Sequence, residues 1–279
     1  MNLAASWTPP ETAPGWAATL ALTYARRGER TALVRRHQHG PLTVQRPFYP
    51  EGDAVCHTYL LHPPAGIVGG DRLTLDCELG TGSQALITTP GATRWYFSHA
   101  RTAGLLQEIR VAAGAQLEWL PQETLVFDGA HAELRTRIAL AGDARVIGCE
   151  ILGLGRPAAG ERFRHGVLDT WFEILRDGIP LFLDRLRSGP GGVAGLRGNT
   201  ATATLFASGA DEAALLAARS VIDSAPHTLA GASLLGDLLI CRALAPHCEP
   251  LIDLNRALWS RLRPLLLGRA ATAPRIWRT

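Results

Sequence analysis

The chain contains no lysine, because all 28 of its Lys and Arg residues are arginine. Schiff-base chemistry, phosphate-loop nucleotide hydrolysis and kinase-type phosphoryl transfer all depend on a lysine amino group. This chain has no such group to offer to any of them. A hydrolase with a nucleophile elbow also has no candidate, because the sequence has no G-x-S-x-G motif.

Paired cysteines and long apolar runs are missing as well. The five cysteines are odd in number and form no C-x-x-C motif, which argues against a disulfide framework or a structural zinc site. The first 15 residues have neither a basic start nor a long apolar stretch, and no run of about 18 apolar residues occurs anywhere. We therefore expect a cytoplasmic protein that does not use a membrane.

Charge is nearly balanced, with a formal net charge of +3. The one dense basic run is Arg35-Arg36-His37, and nucleic-acid binders concentrate their charge more strongly than this. We interpret the run as a solvated surface, with a partner-docking patch as the alternative, and we expect no nucleic-acid partner.

Alternating apolar and polar residues predict strands over about 15–187. From Leu73 to Leu79 every second residue is apolar, which is the pattern of a half-buried strand. Asp177-Gly178 lies between two apolar runs and predicts a tight hairpin. Because turn signals recur at short intervals, we expect a mainly β protein with mostly antiparallel strands.

The last third predicts a smaller part that contains helices. Asp211 is placed to cap a first helix, and Asp253 to cap a second that Pro264 would limit. The Gly-rich segment 188–195 is predicted to be a long loop between the strand-rich part and a mixed helix and strand part over about 196–279.

One segment combines candidate metal ligands with a Gly-rich loop. Cys56, His57 and His62 carry thiol and imidazole groups that suit nickel, zinc or copper, although Cys56 also fits a buried strand as an ordinary core residue. On a strand, Cys56 and His62 would share a face and His57 would point away. Asp71 ends the loop that follows, either as a turn cap or as a carboxylate presented at a functional site.

Aromatic and acidic residues supply two further hypotheses. Trp95 and Tyr96 beside an arginine, and Trp277 near the C-terminus, are typical of interface anchors or of core aromatics. Glu118 and Glu123 flank a tryptophan and could act as an acid–base pair.

Six further segments extend in order over nearly the whole chain. They are QRPFYPEG (Gln45–Gly52), CHTYLLHPPAGIVGGD (Cys56–Asp71), TTPGATRWY (Thr88–Tyr96), LEWLPQE (Leu117–Glu123), GRPAAGE (Gly155–Glu161) and PRIWRT (Pro274–Thr279). Together these segments resemble the UreD (UreH) family of urease accessory proteins, so we expect a single domain of this type over 1–279.

This resemblance implies a fold and a function. The fold would be a β-rich, helix-like stack of strands with a small C-terminal helical part. The protein would not be an enzyme. It would act as a scaffold with UreF, which recruits the GTPase UreG, and the complex, a homodimer of heterodimers, would dock on apo-urease. Nickel would pass through UreD to the dinuclear urease site, so no tightly bound cofactor is expected and Ni²⁺ would be present only in transit.

The resemblance also implies residues for the nickel path. A path should bind a divalent ion weakly, and separate oxygen ligands do so better than a cage of Cys and His. The expected path positions are Asp71, Thr93, Glu150, Asp184 and, with uncertain register, Glu51 or Asp53.

Two alternatives to this function remain. One is a β-rich protein-binding module without metal transfer. The other is a β-rich enzyme that uses Glu118 and Glu123 or a metal at Cys56 and His62.

Overall fold

The computed structural model describes residues 15–189, 192–193, 195–225 and 228–278. Within these ranges lie eighteen strands and two α-helices. In chain order the elements are β1 (Ala17–Arg27), β2 (Arg30–His39), β3 (Thr43–Val44), β4 (Cys56–Leu61), β5 (Arg72–Leu79), β6 (Gln84–Thr88), β7 (Thr93–Trp95), β8 (Ala103–Val111), β9 (Gln116–Leu120), β10 (Thr124–Val126), β11 (His131–Leu140), β12 (Arg145–Leu154), β13 (Val167–Arg176), β14 (Ile179–Gly189), β15 (Gly192–Val193), β16 (Ala201–Ser208), α1 (Glu212–Asp223), β17 (Leu229–Leu235), β18 (Leu238–Ala245) and α2 (Glu249–Leu267).

The strands form two sheets that pack face to face. The eight-stranded sheet has the order β15-β14-β13-β11-β8-β5-β1-β2. The ten-stranded sheet has the order β17-β18-β16-β12-β9-β6-β4-β3, and β10 and β7 extend it beside β12. From β4 to β13 the chain passes repeatedly from one sheet to the other, so each coil adds strands to both sheets. This confirms the expected mainly β, helix-like stack.

The prediction of mostly antiparallel strands is wrong. Nine of the sixteen strand pairings in the described ranges are parallel, including the continuous run β1-β5-β8-β11-β13. Turns such as the one at Gly80 and Gly82 lead to a strand of the opposite sheet and do not form hairpins. Close turn signals arise equally from a hairpin and from a coil of this kind, so turn spacing does not distinguish the two.

Burial explains why the two sheets have different sequence patterns. Strands of the eight-stranded sheet have one buried face, and β5 alternates regularly between buried and more exposed residues, as predicted. The ten-stranded sheet is covered on both faces, so β4, β6, β9 and β12 are buried along nearly their whole lengths. Continuous apolar strands are the expected result of two-sided burial.

Two hydrophobic cores hold the layers together. The larger core lies between the sheets and contains Trp95, Trp119 and Phe206. The second core lies between the ten-stranded sheet and the two helices, and contains Trp259 of α2. No helix in the described part of the chain is long and apolar enough to cross a membrane.

The ends of the helices agree only partly with the sequence. As predicted, Asp211 caps α1, and its carboxylate accepts a hydrogen bond from the backbone N–H of Ala214 at 3.0 Å. Asp253 does not cap α2, because that helix begins four residues earlier at Glu249, with a proline in its first turn. The helix also continues past Pro264 to Leu267 before it ends at Gly268.

The predicted hairpin is confirmed, and part of the Gly-rich segment is extended. Asp177 and Gly178 both adopt positive φ and connect β13 to β14 in antiparallel pairing. In the predicted loop 188–195, β14 reaches Gly189 and pairs with β15. Residues 190, 191 and 194 lie outside the described residues.

Candidate functional site

A row of polar side chains crosses the inner face of the ten-stranded sheet. Glu150 of β12 is paired with Thr204 of β16, which is paired with Arg242 of β18. Paired residues on neighbouring strands lie side by side, about 4.8 Å apart per strand. All three side chains therefore point toward the eight-stranded sheet, at one level of the interlayer space.

A matching row lies on the eight-stranded sheet. Gln107 of β8 is paired with Thr136 of β11, and that row continues through Phe172 of β13 to Asp184 of β14. The two rows meet across the interlayer space, where Thr136 contacts Glu150 and Asp184 forms an ion pair with Arg242. We call this level the polar layer: Gln107, Thr136, Glu150, Asp184, Thr204 and Arg242.

A break in the ten-stranded sheet opens beside Glu150. Strand β9 pairs with β12 as far as Gly148, and β10 pairs with it only from Leu152. Between these pairings the chain runs through residues 121–123, which belong to neither strand. A cavity of about 180 Å³ occupies this region, and its lining includes Thr93, Gln107, Glu150, Asp184, Thr204 and Arg242.

Burial governs the chemistry of Glu150. It raises the pKa of this carboxyl to about 7; the hydrogen bond from Thr136 opposes the rise, and the negative charge of Asp184 adds to it. The Thr136 hydroxyl lies 2.9 Å from Gln107 Oε1 and 3.0 Å from Glu150 Oε1, yet it has one proton to donate. The hydroxyl can therefore donate to only one of these two oxygens at a time, and its hydrogen bond offsets only part of the effect of burial on the pKa of Glu150.

Asp184 and Arg242 close the polar layer near the edges of the two sheets. The guanidinium Nη2 of Arg242 lies 3.0 Å from Asp184 Oδ2, and the two side chains are 55% and 31% exposed. The guanidinium carbon of Arg242 also lies 5.6 Å from the centre of the Phe182 ring. The pair therefore joins the two sheets where the layer reaches solvent.

Comparison with known proteins shows the family of this chain. The family model described as UreD urease accessory protein matches residues 17–278. The chain belongs to the UreD family. It is 49% identical to the urease accessory protein UreD of Azoarcus sp. (strain BH72), with 95% of each chain covered. It is also 47% identical to UreD of Pseudomonas entomophila (strain L48) over 100% of both chains.

Three of the path residues expected from the UreD resemblance come together in the cavity. Thr93, Glu150 and Asp184 lie far apart in the sequence, and all three line it. Their role in transit stays a prediction. The remaining path candidates lie elsewhere.

Asp71 organises a turn. Its carboxylate accepts hydrogen bonds from the backbone N–H groups of Trp16 at 2.8 Å and Val68 at 2.9 Å, and it is 3% exposed. Of the two roles considered for Asp71 from the sequence, the structure shows the turn cap. Asp53 is also outside the cavity, and it forms a solvent-exposed ion pair with Arg30 at 3.7 Å.

Glu51 belongs to a buried charge network between the ten-stranded sheet and α2. Arg263 donates to Glu51 at 2.6 and 2.7 Å and to Glu118 at 2.9 Å, and Trp259 Nε1 donates to Glu118 at 2.7 Å. Burial alone would raise the pKa of Glu51, but hydrogen bonds from His57 and Arg263 outweigh it and lower that pKa to about 2. Because Glu118 is fully engaged here, it is not free to form the hypothesised acid–base pair with Glu123.

The sulfur and imidazole candidates are not gathered into one site. Cys56 lies in the core between the sheets, where burial raises the pKa of its thiol, whereas His57 points to the opposite face and lies 2.6 Å from Glu51. His62 follows β4, and burial lowers the pKa of its imidazole. The described residues contain no group of three or more His, Cys, Asp or Glu side chains arranged to hold a metal ion.

The three candidates for partner docking differ in their accessibility. Trp95 is 1% exposed in the core, so its side chain is not available to a partner. Trp277 packs edge-on against Trp259 at 5.3 Å and donates from Nε1 to Thr88 Oγ1 at 3.0 Å, and thus docks on its own fold. Tyr96 is 36% exposed and remains accessible.

Sequence reasoning missed four members of the polar layer that lie with Glu150 and Asp184. These residues each stand at an inward position of a strand: Gln107, Thr136, Thr204 and Arg242. Thr136 lies between Leu134 and Ile138, each two residues away and on the same face. A polar residue at an inward position of an alternating strand is a detectable signal, and it could have marked these residues.

Proposed function

We propose that this chain is a non-catalytic urease maturation factor that conducts nickel through the cavity at its polar layer. Membership of the UreD urease accessory protein family supports the role in urease maturation. The observation that carries the transit proposal is the meeting of Thr93, Glu150 and Asp184 in one interlayer cavity.

The chemistry of the polar layer suits brief contact with a divalent cation. Nickel binds imidazole and thiolate well, whereas carboxylate, hydroxyl and amide oxygens hold it more weakly. In the polar layer one carboxyl, Glu150, has a raised pKa, and the other, Asp184, is already paired with Arg242. A site of this kind can orient and release an ion without retaining it, as transit requires.

The break in the ten-stranded sheet supports a route out of the interlayer space. A second, small cavity of about 20 Å³ lies on the helix side of that sheet, bordered by Asn255 and Trp259 of α2. It shares Pro121, Gln122 and Ile151 with the lining of the first cavity. We propose that ions cross the sheet at this point.

The partners follow from the same proposal. We propose that the chain binds UreF, is linked to the GTPase UreG through UreF, and docks on apo-urease as part of a cytoplasmic homodimer of heterodimers. A lysine-free chain can serve a GTP-dependent process when nucleotide hydrolysis takes place on the partner. No tightly bound cofactor is needed, since Ni²⁺ is cargo.

The test is urease activation in cells that lack the native copy of this gene. Supplying the chain in trans should restore urea hydrolysis and urease-bound nickel together. The double variant Glu150→Gln, Asp184→Asn should be recovered with its partners at native levels yet restore little of either. Normal activity and nickel content with the double variant would overturn the transit proposal and leave a protein-binding module without metal transfer.

A further inference from the structure

We propose that Arg242 is the gate residue of the polar layer. Its guanidinium forms an ion pair with the Asp184 carboxylate, and a divalent cation binds that carboxylate only by displacing the guanidinium. This inference rests on the proposed function and deepens it, because it assigns a role to a residue that the UreD resemblance did not mark.

The position of the pair is that of an outer gate. Asp184 and Arg242 stand on β14 and β18, each the second strand from one edge of its sheet. Glu150 lies two strands away from Arg242 toward the middle of the ten-stranded sheet, with Thr204 on the strand between them. The backbones of Glu150 and Arg242 are therefore about 10 Å apart. A cation that enters from this side meets the ion pair before it meets Glu150.

The charges of Asp184 and Arg242 cancel while the two side chains form their ion pair. Asp184 carries the negative charge that would attract a dication, and Arg242, charged at every physiological pH, neutralises it. A half-exposed Arg–Asp pair contributes little free energy, so a metal ion can compete for the carboxylate. The pair therefore restrains access without blocking it.

Arg242 also has a second contact that can hold it when it leaves Asp184. Its guanidinium lies over the ring of Phe182, which is on the same strand and the same face as Asp184. A cation–π contact of this kind persists without the carboxylate. The displaced guanidinium can remain beside the opening, ready to re-form the pair after the ion has passed.

The experiment measures nickel binding directly. The full-length chain is co-expressed with the other accessory proteins, purified as the resulting complex, and titrated with nickel chloride in equilibrium dialysis. The neutral variant Arg242→Gln should bind nickel about two- to fivefold more tightly, since the competing cation is gone. Arg242→Lys should stay within about twofold of the native chain, because it keeps the charge. Asp184→Asn should bind more weakly.

A matched control removes a similar ion pair from the outer face of the eight-stranded sheet. Arg137 lies 3.2 Å from Glu173 and is 49% exposed, close to the exposure of Arg242, and it does not line the cavity. Arg137→Gln should leave nickel binding unchanged. Arg242→Ala also removes the charge, and it replaces the Gln variant if that variant does not assemble.

The outcomes separate the gate from the path. Unchanged nickel affinity in the neutral Arg242 variants, combined with weakened binding in Asp184→Asn, would overturn the gate and leave the path standing. If neither Asp184→Asn nor Glu150→Gln changed nickel binding or urease activation, the proposed function itself would fail. Tighter binding in Arg137→Gln as well would show a general charge effect and would also overturn the gate.

Discussion

Replacing Glu150 with glutamine should change stability in a pH-dependent way, because the native carboxyl is easier to protonate in the folded state. Its pKa rises from 4.5 to about 7 on burial. The folded chain therefore holds this proton more tightly than the unfolded chain does. Below pH 4.5 both states are protonated and the shift contributes nothing. As pH rises from 4.5 to 7, the native protein loses stability, and above pH 7 the full cost remains.

The magnitude follows from the size of the shift. Each pKa unit corresponds to about 1.4 kcal/mol, so a shift to about 7 costs at most ~3 kcal/mol near pH 8. Since Glu150 borders a cavity that can admit water, the actual cost is expected to be nearer 2 kcal/mol. Glutamine has a similar shape and no charge, and it can still hydrogen-bond to Thr136. Glu150→Gln should thus differ little from the native chain at pH 4.5 and be more stable at pH 8.

The assay is thermal unfolding of the full-length native and variant chains at pH 4.5 and pH 8. For a chain of this size each kcal/mol moves the midpoint by about 2 °C, so the variant should gain roughly 4 °C relative to native at pH 8. Glu108→Gln, which removes a carboxylate from the outer face of β8, controls for general charge effects. Equal midpoints of Glu150→Gln and native protein at both pH values would refute the argument that burial governs this carboxyl.

Three further substitutions test structural roles, each by the shift in thermal midpoint. Arg263→Met should destabilise the fold by about 3–5 kcal/mol, since it leaves two buried carboxylates without their partner; a loss below 1 kcal/mol would show that the network is dispensable. Asp71→Asn should cost about 1–3 kcal/mol by unpairing a buried backbone N–H, with unchanged nickel binding; a loss of nickel binding at native stability would return Asp71 to the path. Gly148→Ala should cost about 1–3 kcal/mol, because the new Cβ would lie 2.5 Å from the Phe206 ring; an unchanged midpoint would contradict this close packing.

Local sequence patterns were sufficient for individual elements. The alternation from Leu73 to Leu79 predicted β5, Asp177-Gly178 predicted the hairpin between β13 and β14, and Asp211 predicted the start of α1. Each of these depends on interactions within about ten residues of chain. Six ordered segments also identified the family, because their residue types are specific even when their roles are not.

Local sequence patterns did not predict whether neighbouring strands pair in parallel or antiparallel direction. A turn that leads into a hairpin and a turn that leads to the opposite sheet have similar residues, so the parallel coil was not predicted. The start of α2 was misplaced for a related reason. Asp253 is a good capping residue, but packing of the preceding turn extends the helix to Glu249.

By itself the sequence determined that this protein is a β-rich member of the UreD family with no lysine chemistry of its own, and it marked Thr93, Glu150 and Asp184 as candidates. Only the tertiary structure decided that these three share a cavity while Asp71 and Glu51 serve the fold. It also added Arg242 to the site. The physical reason is register: pairing across strands placed Glu150, Thr204 and Arg242 side by side, opposite Thr136 and Asp184. Contacts between residues far apart in the chain, such as Asp184 and Arg242 at 58 positions, leave no local trace in the sequence.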